Sequence, residues 1–243
     1  YIKTISRGTR LRTMSKNLDN VGFLDRLKIN NSISKNLRFL DNMGYLDLQI
    51  PKQLYDSLKS ECDMAFDGNS VYKSGLTGAG VALHRKVENV SNLRELEIFI
   101  FSVLKGYKET FDIDPMSEYF NMQTESSPIF KLSEPWINYQ KKNEFVPSHI
   151  HVGAFSYTIW IDIPYDSDEE LKEGGNEASC FQFSYMDILG STRVHTIRLS
   201  KKDNGRMLFF PSMLRHQVYP FYTSDKYRIS ISGNVLLDLK YND

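Results

Sequence analysis

The second half of the chain is a succession of short apolar runs, and this pattern constrains the fold more than any other feature. From about Ile129 onward, runs rich in Ile, Val, Phe and Tyr alternate with polar turns. The clearest runs are Trp136–Gln140, Phe155–Ile163, Cys180–Met186, Val194–Leu199, Arg206–Phe210, His216–Tyr219 and Arg228–Leu236. Short strands in close succession are typical of a β sandwich or barrel. The sequence predicts a mainly β domain whose core strands span about 129–237.

The preceding part of the chain predicts supporting helices. Tyr45–Ile50 alternates like a strand, and Pro51 then stands where a helix can begin, with apolar spacing through about Ala65. Asn92–Phe111 repeats apolar residues at steps of three and four, which favours a second helix. We therefore expect N-terminal helices packed against a jelly roll, the double-stranded β-helix.

Composition is that of an ordinary globular protein, with 41% hydrophobic and 25% charged residues over 243 positions. A net charge of zero gives no general attraction to nucleic acid. Residues 1–40 nevertheless carry nine Lys/Arg and two Asp, and are interpreted as a basic N-terminal arm. Residues 41–243 are predicted to form one domain. No apolar run is long enough to cross a membrane, and two cysteines make no disulfide framework, so a cytoplasmic protein is expected.

Two further segments are interpreted as loops. Gly75–Gly80 is rich in glycine but lacks the lysine and spacing of a phosphate-binding loop. Tyr165–Ala178 is strongly acidic and is predicted to be a solvated surface loop.

Three of the five histidines form the candidate centre of chemistry. His149 and His151 are two residues apart, so in a strand their side chains would point to one face. His216 follows an apolar run and the turn at Pro211. A local pair plus a distant third ligand suits a facial metal site, although imidazole alone does not choose among Fe, Zn, Cu and Ni. His84 and His195 have no partners by spacing and are interpreted as structural.

A polar face follows on the last predicted strand. Arg228, Ser230, Ser232 and Asn234 alternate with Ile229 and Ile231, so the polar residues share one face. Polar groups that face a barrel interior are costly without a polar partner or ligand. Arginine binds a carboxylate through two parallel hydrogen bonds, and a nearby serine can add a third.

Together these residues resemble the 2-oxoglutarate/Fe(II) oxygenases of the double-stranded β-helix fold. That family carries His-x-Asp/Glu, a distant His and an Arg about ten residues later, often as Arg-x-Ser. The phrases that match are Trp136–Tyr139, Pro147–His151, Phe210–His216 and Arg228–Asn234. They are similar to a poorly characterised branch from marine bacteria and cyanophages, over roughly 129–237. If the chain is phage-encoded, the cytoplasm expected for it is that of the host cell.

The resemblance implies roles for six residues. His149, His151 and His216 would hold Fe(II), which would bind the C1 carboxylate and keto oxygen of 2-oxoglutarate. Arg228 and Ser230 would hold the C5 carboxylate of 2-oxoglutarate. Asn138 would donate a hydrogen bond to this co-substrate. With O₂, such an enzyme hydroxylates a substrate and releases succinate and CO₂.

The chain departs from the family at His151, where a carboxylate is usual. A carboxylate from elsewhere in the chain could complete the metal site, or His151 could contact the metal ligands without binding the metal itself. Two other functions stay open: a three-histidine, cupin-like metalloenzyme without 2-oxoglutarate, and a non-catalytic jelly-roll binding module. The sequence does not identify the prime substrate, whether protein side chain, metabolite or nucleobase, or the oligomeric state.

Overall fold

A computed structural model describes residues 44–65, 72–73, 83–86, 90–111 and 129–238 of the chain. The predicted basic arm and the predicted loop at Gly75–Gly80 lie outside these residues. None of the described helices is long and apolar enough to cross a membrane.

Two helices cover the outer face of the larger sheet, as predicted. Helix α1 spans Lys52–Ala65 and helix α2 spans Val90–Phe111. The Tyr139 hydroxyl donates to the Cys62 carbonyl of α1 at 3.1 Å. On α2, the Tyr107 ring lies edge-on to Phe155, with centroids 5.0 Å apart. The helices thus close the sheet from outside and leave its inner face to the barrel interior.

The larger sheet has eight strands, seven of them in the order β1-β10-β7-β12-β5-β3-β2, with β4 paired to β12. The bounds of its strands are β1 Leu46–Gln49, β2 Tyr72–Lys73, β3 Leu83–Lys86, β4 Ile129–Leu132, β5 Trp136–Gln140, β7 Phe155–Asp162, β10 Arg206–Pro211 and β12 Arg228–Asp238.

The smaller sheet has four strands in the order β6-β11-β8-β9. Its strands are β6 Val146–His149, β8 Phe181–Met186, β9 Thr192–Ile197 and β11 Arg215–Val218. From β5 onward the chain crosses repeatedly between the two sheets. This alternation, antiparallel throughout, is that of a jelly roll, and it confirms the predicted fold class.

An aromatic core fills the space between the sheets at one end of the barrel. Trp160 and Phe210 come from the larger sheet, Phe181 and Phe183 from the smaller, and all four are buried. Strands with alternating large apolar side chains pack face to face in this way because each sheet must bury one face. Ser156 and Ser230 are the registered partners of Phe210 and Trp160, so the polar inner residues adjoin this aromatic core.

The predicted acidic surface loop is wrong in its central part, where Ser167–Gly174 forms helix α3. Acidic residues in the first turn complement the partial positive charge of a helix N-terminus. Glu170 is fully buried, and its carboxylate accepts the backbone N–H groups of Tyr222 and Thr223, both at 2.8 Å. That bond ties α3 to the segment that leads into β12.

Candidate metal centre and its surroundings

His149 and His216 face each other across the smaller sheet. They are direct partners in the antiparallel pairing of β6 with β11, so their side chains leave the sheet on the same side. Their ring centroids are 4.3 Å apart. The register thus brings together two residues that are 67 positions apart in sequence.

Backbone carbonyls fix the orientation of both rings. His149 Nδ1 lies 2.7 Å from the Pro147 carbonyl oxygen, and His216 Nδ1 lies 2.9 Å from that of Leu214. A carbonyl oxygen only accepts, so each Nδ1 carries the proton and donates. The Nε2 lone pair of each ring is then free to bind a cation, the arrangement usual for metal-bound histidine.

His151 reaches the same point by a different route from the one predicted. Strand β6 ends at His149, and His151 lies in the irregular segment beyond it, so strand parity does not orient its ring. Its backbone N–H donates to the Ser212 carbonyl at 2.9 Å, and its Nε2 lies 3.2 Å from Nε2 of His216. The predicted proximity is confirmed, whereas the reason given for it is wrong.

The three imidazoles fit a metal ion. One ligand atom from each lies within 4.8 Å of the others. In an octahedral site with bonds of about 2.1 Å, neighbouring ligand atoms are about 3 Å apart, which is close to the 3.2 Å between His151 and His216. Within the part of the chain that the structure describes, this cluster includes no carboxylate.

Burial keeps these imidazoles neutral. Loss of water lowers the pKa of His216 to about 3 and that of His151 to about 4, with repulsion from His149 adding to both. Burial lowers the pKa of His149 as well. Phe181 stacks on His216 with centroids 5.4 Å apart, which explains much of the desolvation. Neutral imidazole is the form that binds metals, so the cluster is ready for a cation at neutral pH.

A ladder of hydroxyl and amide groups extends from the histidines along the inner face of β12. Ser212, whose carbonyl holds His151, shares a hydrogen bond of 2.8 Å between its hydroxyl and that of Ser156, which donates to Asn234. The Asn138 amide then donates to the Ser230 and Ser232 hydroxyls at 3.2 and 3.1 Å. The predicted shared face is confirmed, and Asn138 lies on it.

Arg228 ends the ladder, and neutral acceptors satisfy all five of its N–H donors. Its Nε and one terminal nitrogen donate to the Gln140 side-chain oxygen, and the other terminal nitrogen donates to the Tyr165 hydroxyl at 2.7 Å. The carbonyls of Ser179 and Tyr219 accept the remaining two. The side chain is only 2% exposed. Among the described residues no carboxylate forms an ion pair with it.

Sequence reasoning did not identify Tyr165 as a partner of Arg228. It also gave Gln140 no role at this arginine, although Gln140 is the direct cross-strand partner of Arg228. Register between β5 and β12 would have revealed that pairing, but register is not readable from a single sequence. Tyr165 follows β7 in a segment whose position depends on the whole barrel. His195, interpreted as structural, is exposed and accepts or donates a hydrogen bond of 2.7 Å with the Tyr45 hydroxyl.

A match to a known protein family covers the same region of the chain. The sequence family described as putative 2OG-Fe(II) oxygenase matches residues 134–234, a range that contains all the predicted site residues. No curated protein matches the sequence significantly.

Solved structures share the fold. A prolyl-4-hydroxylase from Pseudomonas putida superposes with a TM-score of 0.52 at 11% identity, over 81% of this chain and 94% of its own. The non-haem α-ketoglutarate-dependent epimerase SnoN of nogalamycin biosynthesis superposes with a TM-score of 0.52 at 14% identity, over 80% of this chain and 78% of its own. At such identities the likeness shows the fold alone.

Proposed function

We propose that the chain is a 2OG-Fe(II) oxygenase, which hydroxylates a substrate with O₂ and 2-oxoglutarate and releases succinate and CO₂. The match of residues 134–234 to this family of oxidoreductases supports the proposal. His149, His151 and His216 would hold the Fe(II) in this proposal. The observation that carries it is the convergence of three neutral imidazoles within 4.8 Å inside the matched region.

The charge of the cluster fits an anionic co-substrate. Three neutral imidazoles leave the full double positive charge of Fe(II), one unit more than two histidines and a carboxylate would leave. A 2-oxo acid with two carboxylates neutralises that charge. When bound, the iron supplies the activation of O₂ and the oxidative decarboxylation of the 2-oxo acid.

Arg228 is the proposed anchor for the C5 carboxylate, with Ser230 beside it. Two of its acceptors, Ser179 and Tyr219, are backbone carbonyls and would hold the guanidinium in place. The other two are neutral side-chain acceptors, Gln140 and Tyr165. A carboxylate that replaces them would exchange neutral hydrogen bonds for charge-assisted ones, which are about twice as strong.

Asn138 is proposed to position this anchor. Its amide N–H groups already donate to Ser230 and Ser232, so it orients both hydroxyls on the inner face. A hydrogen bond from Asn138 itself to the co-substrate would require it to release one of them.

The test is turnover of 2-oxoglutarate with Fe(II) by the full chain, followed as succinate formed, together with iron content after anaerobic loading. We expect about one iron per chain, and loss of iron in His149→Ala and His216→Ala. His195→Ala, which removes a histidine outside the cluster, should keep its iron. Iron retained by both cluster variants would exclude the proposed ligands.

The anchor has a separate test in the affinity for 2-oxoglutarate. Ser230→Ala should weaken binding severalfold, and Arg228→Lys should weaken it by about tenfold or more, because lysine cannot form two parallel hydrogen bonds. Arg198→Ala, at an exposed site, is the matched control. The alternative of a cupin-like metalloenzyme predicts iron-dependent O₂ uptake that 2-oxoglutarate does not change.

A further inference from the structure

Exposed apolar side chains gather at one end of the smaller sheet. His149, His216, Phe183 and His195 form a row across it, since each is the registered partner of the next. We call the end of the sheet beyond this row, toward the β8–β9 turn, the mouth end. Apart from Ile98 and Phe145, every exposed large hydrophobic side chain of the described residues lies there. These side chains are Ile150, Val152, Tyr185, Met186, Ile188, Leu189, Val194 and Met213.

The most exposed of them stand on the hairpin between β8 and β9. Ile188 and Leu189, in the turn, are 67% and 83% exposed, and Val194 on β9 is 59% exposed. A grouped apolar surface of this kind marks an interaction site, because isolated proteins seldom leave such surface in water. Tyr185, two residues beyond Phe183, is on the same face of the sheet as the candidate metal centre, whereas Val194 is on the opposite face.

Strand β9 is the outermost strand of the smaller sheet among the described residues. Within the described part of the chain it pairs only with β8, and Thr192–Thr196 are all exposed. Three of the devices that block an edge are missing from it: β9 has no proline and no lysine, and its pairing with β8 is continuous, without a bulge. Its one charged residue is Arg193, whose side chain is on the inward-facing side of the strand. The charge of Arg193 is neutralised by Asp187 at 2.7 Å. Thr192, Val194 and Thr196 alternate on the outer face, which suits an added strand.

The chemistry of this edge selects its occupant. Unpaired backbone N–H and C=O groups in a row are complementary to another extended backbone. Six residues of strand span about 20 Å, which exceeds what a small metabolite covers. We propose that an extended polypeptide docks on β9 as an added strand and packs apolar side chains against Ile188, Leu189 and Val194. That this polypeptide is the molecule oxidised rests on the proposed function, whereas its docking does not.

The test uses a phage-displayed library of random dodecapeptides, selected on the full chain. Peptides that enrich are synthesised, and their Kd is measured by fluorescence anisotropy. We expect the double variant Leu189→Glu/Val194→Lys to raise the Kd by about tenfold or more, because charges on the edge and turn oppose strand addition. Ile98→Glu alters an equally exposed apolar residue on α2 and should leave the Kd unchanged.

Hydrogen–deuterium exchange gives a second measurement. Bound peptide should slow exchange at the amides of 192–197, which an occupant of the metal pocket alone would not do. The proposal is overturned if no enriched peptide depends on Leu189 or Val194. It is also overturned if sedimentation shows a dimer that Val194→Lys dissociates, since a second copy then covers β9. Either result stands whether or not succinate is formed, so the docking and the oxygenase proposals fail separately.

Discussion

Acid should destabilise the metal-free chain through its buried histidines. The folded state lowers the pKa of His216 to about 3 and of His151 to about 4, from the ordinary 6.5. The unfolded chain therefore takes up protons first as the pH falls. The contribution of these histidines to the free energy of unfolding is fully present above about pH 6.5. It falls as the pH is lowered, until the pH reaches the folded pKa and each imidazole is protonated in the folded chain as well.

The size of the effect follows from these values. Between the unfolded and the folded pKa of a group, each unit by which the pH falls lowers the free energy of unfolding by about 1.4 kcal/mol. At pH 5 both imidazoles are neutral in the folded chain and charged in the unfolded one, so each costs about 2 kcal/mol. We expect a combined loss of about 4 kcal/mol between pH 7 and 5 from these two side chains.

Urea denaturation of chelator-treated protein at pH 7 and pH 5, followed by tryptophan fluorescence, measures this loss. His151→Asn and His216→Asn remove one titrating group each, and each should reduce the loss by about 2 kcal/mol. His195→Asn is the control from outside the cluster. If both cluster variants lose as much stability as the wild type, the histidines are hydrated or charged in the fold, and the desolvation argument is refuted.

Four further outcomes are expected. Glu170→Gln should lower the free energy of unfolding by about 2–3 kcal/mol, because a buried carboxylate loses charged hydrogen bonds, whereas the exposed Glu169→Gln should change it by less than about 0.5 kcal/mol in urea denaturation; equal effects would contradict the buried contact. Tyr157→Phe should be neutral or stabilising in thermal unfolding, since its buried hydroxyl has no partner among the described residues. Gly233→Ala should lower the free energy of unfolding by about 1–3 kcal/mol, because a Cβ there would clash with the Tyr157 hydroxyl; a tolerated alanine would disprove the close contact. His151→Asp should keep Fe(II) while His151→Ala raises the metal Kd by about tenfold or more, measured by competition with a chelator; loss in both would mean that the site requires imidazole.

The strands were predictable because alternation directly reflects a sheet with one buried face. Trp136–Gln140 was predicted with both bounds correct, since polar turns flank it. Strand β9 was predicted from Val194 but begins at Thr192, because its exposed residues carry little apolar pattern. Helix α3 was missed since its buried residue, Glu170, is stabilised by backbone groups more than fifty residues away.

The site was predictable as a set of residues, and less so as a geometry. His149, His151 and His216 come together as expected, although His151 does so through a turn rather than through strand parity. The inward orientation of the Arg228 side chain was expected, but its hydrogen-bond partners were not. Gln140 and Tyr165 reach it through sheet register and through the end of β7, which no local pattern reveals.

The pairing of His149 with His216 makes the geometry of the candidate metal centre depend on the correct register of the smaller sheet. A slip of one residue between β6 and β11 would turn one of the two rings to the opposite face. Such a misfolded chain would still be compact and apolar inside, yet it would lack two convergent nitrogens. Iron would therefore discriminate between correctly and incorrectly registered chains and stabilise only the former by mass action. Metal binding would therefore favour the correctly folded chain, in addition to any role in catalysis.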